Sequence, residues 1–277
     1  MSLHFFSKKS LRFKSLSLII GLIGLLLTMT GHAQNDLWIQ KSDLGNGATG
    51  IKRTAAVSFT INGKVYIALG KDGSTYFQDV WQYDTISETW SQKANFAGVG
   101  RTGAFAMVIN NKAIVGTGEI SGGARTNTVY MFEPVSNIWT AKANFGGGIR
   151  RYSSAFSMGT RGFVVGGDDG GFQNDTWEYN INSNTWIGKA PFPGLPRMKA
   201  VAFAIGTKAY YGTGDIGVGV ISKDFWKYDM LTNNWTALND FGGVERGGAI
   251  AAATLSNGYV GLGNSGGFLT DFWSYDV

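Results

Sequence analysis

From Ile51 onward the chain is a succession of short apolar runs, each closed by glycine or by a small group of Thr, Ser and Asn. Each run has the length of a strand, and the punctuation between runs is turn chemistry. Four runs make one unit. The first follows an arginine and is built of small residues, as in Arg101-Thr-Gly-Ala-Phe-Ala-Met-Val. A tight turn such as Asn62-Gly63 predicts a hairpin into the second. The second ends in glycine, as in Ala209-Tyr-Tyr-Gly-Thr-Gly214. The third begins at an aspartate, as in Asp79-Val-Trp-Gln-Tyr-Asp84, and the fourth carries a closing tryptophan.

The unit repeats. Its closing tryptophans are Trp38, Trp90, Trp139, Trp186 and Trp235, at spacings of 52, 49, 47 and 49 residues. Seven residues before each of the last four stands Tyr83, Phe132, Tyr179 or Tyr228, and Tyr275 occupies the same place in a last unit that ends at Val277. Four strands per period of this length predict the blades of an all-β propeller. The last unit supplies three strands, and residues 36–41 read as an isolated fourth. Pairing the two completes a fifth blade and removes two exposed edges. The alternative is a truncated six-blade ring.

These motifs resemble kelch repeats: an apolar run, a glycine doublet, then a Tyr and a Trp at a short fixed gap. The resemblance spans residues 36–277. It departs at the doublet, intact only at Gly166-Gly167; the others read Leu69-Gly70, Thr117-Gly118, Thr213-Gly214 and Leu262-Gly263. It implies that the first strand of each blade lines a central channel. It also implies that the loops at 71–78, 119–127, 168–174, 215–223 and 264–270 share one face with the entry to that strand.

On this alignment Arg53, Arg101, Arg151, Arg197 and Arg246 take one repeat position and ring the channel mouth. Guanidinium groups suit a carboxylate or acidic sugar; each arginine tied up by a neighbouring acid or by loop carbonyls is the structural alternative, favoured by its recurrence in every unit. Asp79, Asp175, Asp224 and Asp271, with Thr128 in the equivalent place, are expected to form turns and pair with those arginines. The nine tryptophans all fall on repeat positions. Sugar stacking is therefore assigned to loop aromatics, Tyr76, Phe77, Phe172 and Phe268. Glu119 breaks the repeat and joins the candidate ligand-binding residues. Asp168-Asp169-Gly170-Gly171 matches no calcium-ligand series, so no metal and no cofactor are expected. Gly212-x-Gly214-x-x-Gly217 matches a dinucleotide fingerprint literally but opens no helix.

Residues 1–33 read as a separate object. Lys8, Lys9, Arg12 and Lys14 precede an apolar stretch from Leu16 to Met29, and Gly31-His32-Ala33 supplies a small-residue cleavage site. That order predicts a secretory signal, with residues 34–277 as the mature propeller, periplasmic or released to the cell surface or medium. The formal net charge of +5 loses four positives with the signal, leaving no basic footprint for nucleic acid. No later segment is apolar enough to span a membrane.

The chain has no Cys, and both His residues, His4 and His32, lie in the signal. Ser–His and Cys–His pairs are excluded in the mature part. So is copper-dependent galactose oxidase chemistry, which the resemblance would imply only with His ligands and a Tyr–Cys cofactor. The reading is an exported binding module for a glycan or a protein. The alternatives are a metal-free sugar-modifying enzyme similar to sialic-acid epimerases, using Glu119 or Glu245 with ring arginines, and a structural part of a surface assembly.

Overall fold

The computed structural model describes residues 40–45 and 51–277. The signal and most of the closing strand at residues 36–41 lie outside the described residues. Among the described residues there is no helix. The segment from Ser42 onward forms five consecutive antiparallel sheets. Blade 1 is Val57–Ile61, Lys64–Ala68, Val80–Asp84 and Thr89–Lys93. Blade 2 is Phe105–Ile109, Lys112–Gly116, Val129–Glu133 and Ile138–Lys142. Blade 3 is Ser154–Met158, Arg161–Asp168, Phe172–Asn180 and Thr185–Lys189. Blade 4 is Val201–Ile205, Lys208–Gly212, Phe225–Asp229 and Asn234–Ala237. Blade 5 contributes Ile250–Ala253, Asn257–Gly261 and Phe272–Asp276. Strands pair in sequence order, as a run of hairpins must.

The seven-residue gap between the paired aromatics has a direct cause. It places them opposite each other across the third and fourth strands, Tyr83 on Trp90, Phe132 on Trp139, Tyr179 on Trp186 and Tyr228 on Trp235. Their ring centroids lie 5.1, 4.9, 4.8 and 5.0 Å apart. Each closing Trp then ties its blade to the preceding segment. The indole Nε1 of Trp139, Trp186 and Trp235 donates to the carbonyls of Ala94, Ala143 and Ala190 at 3.0, 3.1 and 3.0 Å. Trp90 does the same to Ser42 at 2.9 Å. The core is a series of apolar layers between neighbouring blades.

The doublet is explained by its backbone. Both members lie in left-handed conformations, the first at φ of 57 to 64° and the second at 88 to 103°. The first value is a conformation that Leu and Thr reach at a cost; the second belongs to glycine. A Cβ on Gly118 would also lie 2.9 Å from the Thr102 carbonyl oxygen. That close approach lets Gly70, Gly118, Gly167 and Gly214 donate to the carbonyls of Arg101, Arg150, Arg197 and Arg246 in the next blade. Only the second glycine of each pair is indispensable, and it is the one present in every repeat.

Candidate functional site at the channel mouth

The arginines at the repeat position are buried, and their guanidinium groups do not gather around the channel. Outside blade 2, each turns into its own blade, onto the acid heading the third strand. Arg53 reaches Asp79 at 2.8 and 2.7 Å, Arg246 reaches Asp271 at 2.6 Å twice, and Arg197 pairs with Asp224. The same arginines donate to the carbonyl of the first doublet residue, whose left-handed backbone presents it: Leu69, Thr213 and Leu262 at 2.8, 2.9 and 3.1 Å. Each guanidinium also lies over a phenylalanine, Phe77, Phe96, Phe145, Phe192 or Phe241, at 4.5 to 5.1 Å. The third-strand indoles of Trp81, Trp177, Trp226 and Trp273 donate to the same aspartates at 2.7, 2.8, 3.0 and 2.7 Å. The acids thus anchor Arg and Trp together. Phe77 has one face taken by Arg53.

The third member of the set is Arg150, not Arg151. Arg150 is 2% exposed and meets Asp175 at 2.5 Å and the Gly166 carbonyl at 3.2 Å. Two adjacent arginines hid a one-residue offset that the tertiary contacts resolve. Blade 2 departs differently: Thr128 and Tyr130 replace the Asp and Trp. Arg101, 1% exposed, has Thr128 Oγ1 at 3.1 Å and the carbonyls of Thr117, Val99 and Thr128 at 2.9, 3.1 and 3.4 Å. Burial without a carboxylate brings its guanidinium down to about 10.

Arg151 instead strengthens a network across blades. It pairs with Glu119 of blade 2 and, at 2.8 Å, with Asp168 of blade 3. Glu119, 6% exposed, also accepts from Tyr76 at 2.7 Å, with Lys71 at 3.5 Å. Asp168 accepts from Arg125 at 2.9 Å and from the Gly170 N–H at 2.9 Å. Burial pushes the Glu119 carboxyl up, but its bonds from Tyr76 and Arg151 and the Lys71 charge outweigh it, and the group stays below the usual carboxylate range. A carboxylate so occupied is a poor general base. Tyr76 is likewise engaged. Glu245 is exposed, and its neighbour Arg246 faces Asp271.

The predicted functional loops are mostly short hairpins, for example Lys71–Asp72 with Thr75–Tyr76, and Asp215–Gly217 with Val220–Ile221. They lie where second strands end and first strands begin, the face bearing the channel mouth. That mouth is a cavity of about 600 Å³ to which all five blades contribute. Small residues and backbone form most of its wall; Tyr152, Lys199, Asn264 and Phe268 supply the larger side chains. Phe268 is 93% exposed. Phe172 stands outside this lining, against Gly217. Glu119 and the repeat arginines also stand outside it.

A backbone ring frames the mouth. Gly103, Tyr152, Lys199 and Gly248 each donate their N–H to the equivalent carbonyl of the preceding blade, Ala55, Gly103, Tyr152 and Lys199, at 3.1, 2.7, 3.0 and 2.9 Å. All five residues are left-handed, with φ between 48 and 65°. They stand two positions after the buried arginines. With Arg150 in register, that column reads Ala, Gly, Tyr, Lys, Gly, and the two large side chains stand out; aligned on Arg151, the column takes Ser153 and hides Tyr152.

Comparison with known proteins gives a consistent architecture. A family model described as the KLHDC2/KLHL20/DRC7 Kelch-repeats domain matches residues 34–192. Among solved structures, one titled "Structure of YjhT" superposes with a TM-score of 0.77 at 16% identity, over 89% of this chain and 86% of that one. At that identity the likeness is one of fold. No curated protein matches the chain.

Proposed function

The chain belongs to the kelch-repeat family, and from that premise we propose that it is an exported binding module taking its ligand at the channel mouth. One observation carries this reading. The mouth is the place on the loop face where the repeat stops being structural, with Tyr152, Lys199, Asn264 and Phe268 lining an open cavity. The arginines and acids that recur from repeat to repeat are spent on pairing within their own blades.

A protein segment is the ligand this face suits best. Val99, Leu195 and Val244 are 55, 61 and 50% exposed on the loops that enter the first strands, and Phe268, which lines the mouth, is exposed as well. Apolar side chains around a polar mouth are the make-up of a transient protein interface. A glycan is the second reading, supported by the open ring of Phe268 in a cavity that Tyr152 also lines. Export rests on the order of charge, apolar stretch and small residues in 1–33.

The test is affinity capture from the exporting organism's envelope and medium, with wild type and a Phe268→Ala/Leu195→Ser variant as baits, beside a thermal-shift screen of saccharides. A partner or sugar bound by wild type and lost in the variant supports the proposal. Ligands indifferent to the variant, or recovery of the protein in the cytoplasm, refute it.

A further inference from the structure

We infer that Tyr152 and Lys199 form the recognition element of the mouth, and that it takes an oxyanion, carboxylate or phosphate, carried next to an aromatic or apolar face. This rests on the reading of the mouth as the ligand site. The argument begins with the backbone. Tyr152 and Lys199 both have φ of 55°, at a ring position where blades 1, 2 and 5 place Ala55, Gly103 and Gly248. Left-handed backbone disfavours large side chains, and the blade geometry here is met by Gly or Ala. Two large side chains retained at such a position are a sign of use rather than of folding.

The charges around them give the ligand its sign. Lys71, Arg125 and Arg151 are paired with Glu119 and Asp168, and Arg53, Arg150, Arg197 and Arg246 with their aspartates. Asp215, in the hairpin beside Lys199, accepts the Gly217 N–H at 3.0 Å. The Lys199 ammonium has no ion pair or hydrogen bond among the described residues; its Nζ lies 5.2 Å from the Tyr152 ring centroid. No carboxylate lines the mouth. An ammonium in a cavity without acids favours an anion.

The ring beside it is held in place. A Cβ on Gly103 would lie 2.7 Å from a Tyr152 ring carbon, so the ring rests on that glycine. The Arg151 guanidinium stands 5.4 Å from the same ring centroid. An oxyanion at Lys199 would have the phenol O–H of Tyr152 within the same lining, and Phe268 would cover the apolar part of the ligand.

The experiment is calorimetry and thermal shift on the purified protein with benzoate and phenyl phosphate, against benzamide and inorganic phosphate. Benzoate or phenyl phosphate binds wild type, the better of the two naming the oxyanion; benzamide and inorganic phosphate bind at least about tenfold more weakly. Lys199→Gln and Tyr152→Leu each weaken the aromatic anion by about tenfold or more. Lys199→Gly loses binding while its melting temperature stays level or rises, which a structural lysine would not show. Benzamide binding as well as benzoate, anion binding unchanged in Lys199→Gln, or no binding of either aromatic anion overturns the inference. A protein or neutral glycan captured in a Phe268-dependent, Lys199-independent way overturns it while leaving the binding-module reading standing.

Discussion

Blade 2 carries a defect that one substitution should repair. Four blades pair their buried arginine with an aspartate, and blade 2 offers Thr128. Arg101 is 1% exposed, and burial brings its value down to about 10. That displacement corresponds to a folding penalty of about 3 kcal/mol. The folded value lies below the unfolded one, so the penalty is in force at every pH below about 10 and is relieved only as pH rises from there toward the ordinary guanidinium range. Thr128→Asp supplies the missing charge where Thr128 Oγ1 already meets Arg101 at 3.1 Å. Part of the gain is offset by desolvating the new carboxylate, leaving about 2 kcal/mol of net stabilisation. For a domain of this size that is a rise of about 4–8 °C in melting temperature. The new aspartate is held below its unfolded value, so its contribution is present above about pH 4 and fades as pH falls further. Urea denaturation at pH 7 and at pH 3 measures both effects, with Thr128→Asn as the uncharged control. A Thr128→Asp protein no more stable than wild type at pH 7, or an equal gain from Thr128→Asn, would refute the reasoning.

Three further outcomes follow from the same contacts. Arg197→Met should cost about 3 kcal/mol in urea denaturation, because Asp224 and the Thr213 carbonyl lose their partner; a loss under about 1 kcal/mol would show the pair to be dispensable. Gly214→Ala, at φ of 97° with a Cβ 2.9 Å from the Met198 carbonyl oxygen, should destabilise by about 2–3 kcal/mol. Gly219→Ala, at φ of 75° in open space, should cost about 1 kcal/mol, and equal costs would mean the close approach is unimportant. Glu119→Gln should narrow the acid limb of stability. The wild-type carboxyl is held low in the fold, so its advantage over Gln is present above about pH 4 and lost as pH drops through the folded value; a difference that does not change with pH counts against the network.

Local rules made much of the fold legible. The glycine at the end of each second strand, the hairpin at Asn62-Gly63 and the aromatic pair seven residues apart are all dictated within a few residues, and each stands where the sequence implies. Asn62 and Gly63 have φ of 51 and 73°, the two positive values such a turn requires. The site was less legible. Phe268 was visible as a loop aromatic at the mouth, whereas Tyr152 was masked by the choice between Arg150 and Arg151, and Lys199, two positions after Arg197, was passed over. Glu119 was correctly marked as breaking the repeat, but its partners Tyr76, Lys71 and Arg151 come from neighbouring blades, 32 to 48 residues away.

The sequence by itself determined the all-β class, the period and the five repeated units. Those properties are encoded in residue types recurring at fixed intervals, and a strand or turn needs only its own neighbours to form. Only the tertiary structure decided where the guanidinium groups point, which of two adjacent arginines keeps register, and which side chains share the mouth. Sequence spacing sets the order of blades, whereas burial, backbone handedness and contacts between blades set the direction of each side chain.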